Sequence, residues 1–272
     1  MFVKDKNFFL ENYCSLGEGL HVNKALKAWV DINQNKIYLF NKNNVTSFKT
    51  SSIPSVILKI NSNEIIFGSN EGIKSLALHN GKEILLNCAP KFLNDFYRSN
   101  DGIQVDDTIL MSFMHKEEPE KKSGYIYLIK DDSWHLIEEE IFIPNTFIKI
   151  KNDFFLISDS FKREIWLYDF SNKKPSKKLW HNCTDGVPDG GCKVNNHIFI
   201  TMWDHGKISI FDLKGDHLQD LKVPCIRPTN CKFDNENSNL WVTSAKTDFK
   251  NSNDLNEIYN GRTFYFKIKK IN

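Results

Sequence analysis

Four short segments of this chain carry oxygen donors at a recurring interval. Glu18 lies in Gly17-Glu18-Gly19, Asn100 in Asn100-Asp101-Gly102, Asn145 in Pro144-Asn145-Thr146 and Asp189 in Pro188-Asp189-Gly190. From Asn100 to Asn145 is 45 positions and from Asn145 to Asp189 is 44; Thr229, in Pro228-Thr229-Asn230, follows after another 40. Taken singly, Pro-Asn and Pro-Asp-Gly are ordinary turn residues. The shared interval makes them equivalent positions of a repeat, and equivalent positions in a radial repeat converge. Glu18 and Asp189 would then bring two carboxylates together with the amide carbonyl of Asn145. Three hard oxygen donors with room left for water suit one divalent cation: Ca²⁺, Mg²⁺ or Mn²⁺, and Zn²⁺ less naturally. The two anionic ligands also balance the charge of the ion.

The elements that would position these residues are short strands. AWVDI, KIYLFN, SVILKI, EIIFG, YIYLIK, EIWLYDF, HIFITMW and KISIFDL are rich in Ile, Val, Phe, Tyr and Trp, and Asn, Asp, Gly and Lys pairs separate them. Aligning one strand per unit gives WVDI at 29–32, IIFG at 65–68, ILMS at 109–112, FLIS at 155–158, FITM at 199–202 and WVTS at 241–244. Neighbouring units lie roughly 35 to 46 residues apart, each followed by a turn and an aromatic-rich strand. Six units of about four strands predict an all-β chain folded as a six-bladed β-propeller. The leftover FFLENYCSL near the N-terminus is expected to supply the outer strand of the last blade and close the ring. No Pro/Gly linker or charge run divides the chain, so residues 1–272 read as one domain. The donor positions fall in the loops leading into the innermost strands, at one mouth of the central channel.

Composition excludes several classes. The chain has 272 residues, 40% hydrophobic and 26% charged, which is ordinary for a globular protein. Lysine and arginine number 36 against 34 acidic residues, so no broad basic field points to nucleic acid or to an anionic membrane. The six cysteines form no zinc-spaced pairs and read as reduced thiols. No apolar stretch is long enough for a signal peptide or a membrane span, and the expectation is a cytoplasmic protein. No Gly-x-Ser-x-Gly, Walker or dinucleotide motif occurs.

The ordered segments LGEG with WVDI, RSNDG, PNTF with ISDS and YDF, PDGGCKV with FDLKGD, and RPTNCKF with LWVTSA resemble the family of senescence marker protein (regucalcin), gluconolactonase and luciferin-regenerating enzyme. The match runs from about residue 14 to 268. The resemblance implies a six-bladed propeller with one divalent metal on its axis and, in many members, hydrolysis of sugar lactones. By position it makes Glu18, Asn145 and Asp189 the metal ligands, and Arg98 and Asn100 the substrate contacts. Glu117 matches a further acidic contact. A lactone is an ester, so the expected chemistry is a polarised carbonyl and a water whose proton Asp189 accepts as general base. Other readings are a hydrolase of another ester class, a metal-stabilised propeller that binds a small ligand without turnover, and a protein-interaction propeller.

The sequence departs from the family pattern at Leu20, where proline is usual, and at Thr146, where glycine is usual. It departs again at Ser112-Phe113-Met114, where a small-residue turn is usual. Phe113 and the charged segment 115–123 are expected to narrow the pocket, the latter as a partial lid whose lysines attract an anionic substrate. The segment 246–260 is expected to rim it. His115, His181 and His205 read as solvated or structural histidines near that face. Trp29, Trp166, Trp203 and Trp241 read as blade packing.

Overall fold

The computed structural model describes residues 2–246 and 259–270. Six antiparallel four-stranded sheets form the blades of a six-bladed β-propeller. In blade 1 the strands Gly17–Val22, Leu26–Asp31, Lys36–Asn41 and Asn44–Lys49 follow one another from the channel outward. Blades 2 to 5 repeat this order. They begin at the inner strands Pro54–Ile60, Tyr97–Val105, Pro144–Lys151 and Val187–Val194. Burial falls from inside to outside: Leu26–Asp31 is buried at every position, whereas Asn44–Lys49 has no buried residue. Blade 6 comprises Pro228–Asp234, Asn239–Ser244 and Phe264–Lys270, and its outer strand is Phe2–Phe9. The ring is thus closed from the N-terminal side as expected, but by a strand that begins earlier and takes in only Phe8 and Phe9 of FFLENYCSL. The rest of that segment runs back toward blade 1: the Cys14 N–H donates to the Gly261 carbonyl at 2.7 Å and Leu16 bridges to Ala245.

The core is divided into six hydrophobic clusters, one at each interface between adjacent blades. This explains why the strands read as nearly continuous apolar runs. Alternate residues of one strand serve opposite interfaces: Leu110 packs toward blade 4, while Met111 and Phe113 pack toward blade 2. Phe113 is fully buried between blades 2 and 3, edge-on to Tyr127 at 6.1 Å. Among the described residues no helix is long and apolar enough to cross a membrane, and the helix Phe92–Phe96 has five residues. All six cysteines are free, and only Cys88 is exposed.

A recurring aspartate or asparagine fixes where the inner strand begins in blades 1, 2 and 4. Asp31 ends the second strand of blade 1 and accepts the N–H groups of Ser15 at 2.7 Å and Leu16 at 3.2 Å. Asp159 does the same in blade 4, accepting those of Phe142 at 3.0 Å and Ile143 at 3.3 Å. In blade 2 Asn70 takes the same part, accepting the Ile53 N–H at 2.8 Å. Both aspartates are buried and also accept N–H groups from the turn that follows them. The two residues tied down in this way lie two or three positions before Glu18 and Asn145.

Candidate metal centre

The donor positions lie in the first residues of the inner strands, not in loops leading into them. At this point the register of every inner strand against its neighbour is broken: between Glu18 and His21, Pro54 and Val56, Ser99 and Gly102, Asn145 and Ile148, Pro188 and Gly191, and Pro228 and Asn230. A β-bulge adds a residue on one strand and re-aims its side chain. The bulge is repeated in six blades, and in four of them the side chain it presents, Glu18, Asn100, Asn145 or Asp189, lines one cavity. The bulge demands positive φ just after the donor in two blades, at Gly19 (φ 56) and at Thr146 (φ 60). A β-branched residue rarely adopts this conformation. Thr146 is held there by hydrogen bonds: its Oγ1 donates to the Asp189 carbonyl and accepts from Ser158 Oγ at 2.8 Å.

Glu18, Arg98, Asn100, Asn145 and Asp189 line the floor of one cavity of about 530 Å³. The carboxylates sit close and are buried. Burial first, then the charge of Asp101, pushes Glu18 up to about 8. Burial, then Glu18 and Asp101, push Asp189 well above the usual carboxylate range. The Asp189 Oδ1 atom is buried with no hydrogen-bond partner. Arg98 is half-buried. Burial brings it down to about 10, while Glu18 and Asp189 act in the opposite sense.

The amide positions are ordered by a single chain of hydrogen bonds. Arg98 donates to Asn100 Oδ1 at 2.7 Å, and Asn100 Nδ2 donates to Asn145 Oδ1 at 3.0 Å and to the Pro144 carbonyl at 2.9 Å. Asn145 Nδ2 donates to Ser160 Oγ at 3.0 Å, and Ser160 in turn donates to the Pro188 carbonyl at 2.6 Å. Because the Ser160 hydroxyl is committed as a donor, it can only accept from Asn145. That fixes which end of the amide is oxygen. Both ends of the Asn100 side chain are occupied by neighbouring protein groups, so Asn100 orients Arg98 and Asn145.

Among the described residues no three His, Cys, Asp or Glu side chains converge on a point suited to an ion. The donor set here is two carboxylates and an amide. It fits a hard divalent cation, because two like charges are forced together out of water and one buried carboxylate oxygen lacks any partner. A consequence is measurable without turnover. Raised from its ordinary 4.5 to about 8, Glu18 binds more protons in the folded than in the unfolded chain between those values. Its stabilising contribution is complete below pH 4.5 and is lost as pH rises through 8; Asp189 acts in the same sense. The melting temperature of metal-free protein is therefore expected to fall between pH 6 and pH 9. Added Ca²⁺ or Mn²⁺ should raise it more at pH 9 than at pH 6, with proton release on binding. An equal gain at both pH values would mean that the ion does not bind these carboxylates.

Several expectations about the pocket are corrected. Phe113 does not reach the cavity; Met114, one residue on, does. Glu117 is exposed and does not line the cavity, whereas Glu120 of the same loop does. Two of the three lysines of that loop, Lys121 and Lys122, pair with Glu118 at 3.3 and 3.0 Å. His115 is buried, and its Nδ1 accepts the N–H groups of Glu117 and Glu118. Trp203 is not only blade packing. It lines the cavity and carries the Arg227 guanidinium 4.9 Å from its ring, with Arg227 also bonded to Asp204 at 2.5 Å. Neither His181 nor His205 lines the cavity: they contact the carbonyls of Gly215 and Trp203. Ser160 and Arg163 also line it without having been singled out in the sequence; the only signal for Ser160 was its place after the strand FLISD. Residues 247–258, most of the expected rim 246–260, lie outside the described residues.

The model of the SMP-30/gluconolactonase/LRE-like region matches residues 16–246. Among solved structures, the chain is similar to a calcium-binding protein, regucalcin, from Agrobacterium tumefaciens. Identity is 20% over 95% of this chain and 92% of that one, with a TM-score of 0.86. It is similar to a luciferin-regenerating enzyme, with 18% identity, coverage of 96% and 95%, and a TM-score of 0.84. It is also similar to a gluconolactonase from Xanthomonas campestris, with 15% identity, coverage of 97% and 89%, and a TM-score of 0.74. At these identities the likeness establishes the fold. No curated protein matches the chain.

Proposed function

The chain belongs to the SMP-30/gluconolactonase/LRE-like family, and from that premise we propose that it is a metal-dependent lactonase opening a small sugar lactone to its hydroxy acid. One observation carries this reading: a buried, unpartnered Asp189 oxygen beside Glu18 on the floor of a cavity large enough for a small ring. Glu18, Asn145 and Asp189 would hold one divalent cation, Ca²⁺, Mg²⁺, Mn²⁺ or Zn²⁺. When bound, it polarises the lactone carbonyl and favours charge on the carbonyl oxygen.

The protein side of the reaction follows from the floor of the cavity. Asp189 takes a proton from water as the water oxygen adds to the carbonyl carbon. The acyl C–O bond of the ring then breaks, and the ring oxygen leaves as a hydroxyl, taking up that proton. Arg98, held by Asn100, orients the lactone through its remaining N–H groups. Glu120, Arg163 and Trp203 stand further out and bear on which lactone is accepted. The free thiols support a reducing, cytoplasmic setting.

The test is a panel of aldonolactones followed by acid release at constant pH, with each of the four ions in turn. Hydrolysis above the spontaneous rate is expected, abolished by chelation and restored by at least one ion. No turnover of any lactone with any ion would reject the lactonase reading.

A further inference from the structure

The channel has a second cavity, of about 310 Å³, lined by residues further along the same inner strands. Its cations come from three successive blades: Lys149, Lys193 and Lys232. Each lies four residues beyond the position that begins its bulge or supplies its donor, namely Asn145, Asp189 and Pro228. Each also leans back onto the preceding blade. Lys232 Nζ donates to the Gly191 carbonyl at 2.6 Å, Lys193 Nζ donates to the Ile150 carbonyl at 2.8 Å, and Lys149 Nζ lies 4.0 Å from an Asp106 carboxylate oxygen. The three ammonium groups thus form part of a pinwheel around the channel. Main-chain carbonyls hold two of them without neutralising them.

Little negative charge opposes them. Asp106 is 91% exposed at its side chain, so its pairing with Lys149 is weak. Asp101 lines the cavity too and partly offsets the charge of Lys232, but it is a single buried carboxylate to which the Gly102 and Phe147 N–H groups also donate, against three lysines. An ammonium with one N–H spent on a carbonyl keeps two for a ligand. A concave site with low-dielectric walls also concentrates the field of its charges.

We propose that this opposite end of the channel binds a small, multiply charged phosphate-bearing anion, gripped by Lys149, Lys193 and Lys232. The site is separate from the lactone cavity and does not depend on the lactonase reading. A chain of phosphates carries enough negative charge to match all three lysines.

Inorganic tripolyphosphate is the probe, titrated calorimetrically into the full-length protein at low salt. Binding is expected, weakening steeply as salt is raised. The double variant Lys149→Gln/Lys193→Gln should lose about tenfold or more in affinity. A control, Lys178→Gln/Lys222→Gln, removes the same charge from exposed outer-strand positions of blades 4 and 5. It should bind as the parent does. Melting temperatures of both variants check that the ring is intact. Absence of binding at low salt, or equal loss in the two double variants, would overturn the proposal, the second result showing attraction to net charge alone.

Discussion

Asp189→Asn is expected to cost lactone hydrolysis about 10²–10⁴-fold in kcat at saturating metal, the range for a lost general base. The substitution preserves shape. The Asp189 backbone carbonyl would still accept from Thr146, so the neighbouring blade stays anchored. It removes one of two carboxylates that burial and mutual repulsion hold above their ordinary range. Metal-free protein should therefore become more stable, and most clearly at high pH, where both groups would otherwise be charged. Metal affinity should fall only in part, since an amide oxygen still coordinates and Glu18 keeps its charge. Three readouts thus move in different directions: turnover down steeply, metal affinity down modestly, apo stability up. Unchanged turnover at saturating metal would remove Asp189 from the proton transfer. Unchanged apo stability would mean that the carboxylate is less strained by burial than the geometry indicates.

The propeller was legible because its physics is periodic. Each blade buries both faces against neighbours, so the second strands read as largely apolar runs, and the repeat survives wide variation in the residues themselves. The converging floor was legible for the same reason: Glu18, Asn100, Asn145 and Asp189 occupy one register of that repeat. What escaped was whatever depends on the direction of a single side chain. Phe113 and Met114 are adjacent, and in a strand adjacent residues face opposite ways; shifting the assignment by one residue put the wrong one in the pocket. Glu117 and Glu120 lie in a loop with no period to count by, so spacing alone cannot choose between them. The lysine pinwheel was present in the sequence, but the bulge at the start of each strand hides which face a residue four positions later presents.

Gly19→Ala is expected to destabilise the protein by about 2–6 kcal/mol, combining roughly 1–3 for a residue forced into the left-handed region with about 1–3 for overpacking. Gly19 has φ 56, and a Cβ there would stand 2.4 Å from the Ser55 carbonyl oxygen and 2.5 Å from the Val56 Cα. Both obstacles are main chain of the next blade's inner strand, so no rotamer change can relieve them. For a chain of this length, at about 2 °C per kcal/mol, the loss corresponds to a drop of roughly 4–12 °C in melting temperature. Gly81 provides the control. It also has positive φ, at 70, but its Cβ would meet only the edge of Phe48 at 3.7 Å. Gly81→Ala therefore carries the conformational cost alone, roughly 1–3 kcal/mol. The difference between the two variants isolates the crowding. The site should register it as well, because the Gly19 N–H is bonded to the Glu18 carboxylate at 2.9 Å. If Gly19 moves to clear Ser55, Glu18 moves with it. Metal affinity should then fall in Gly19→Ala and stay unchanged in Gly81→Ala. Equal stability losses in the two would show that the backbone of blades 1 and 2 separates easily at this point. The bulge would then not be what holds Glu18 on the channel axis.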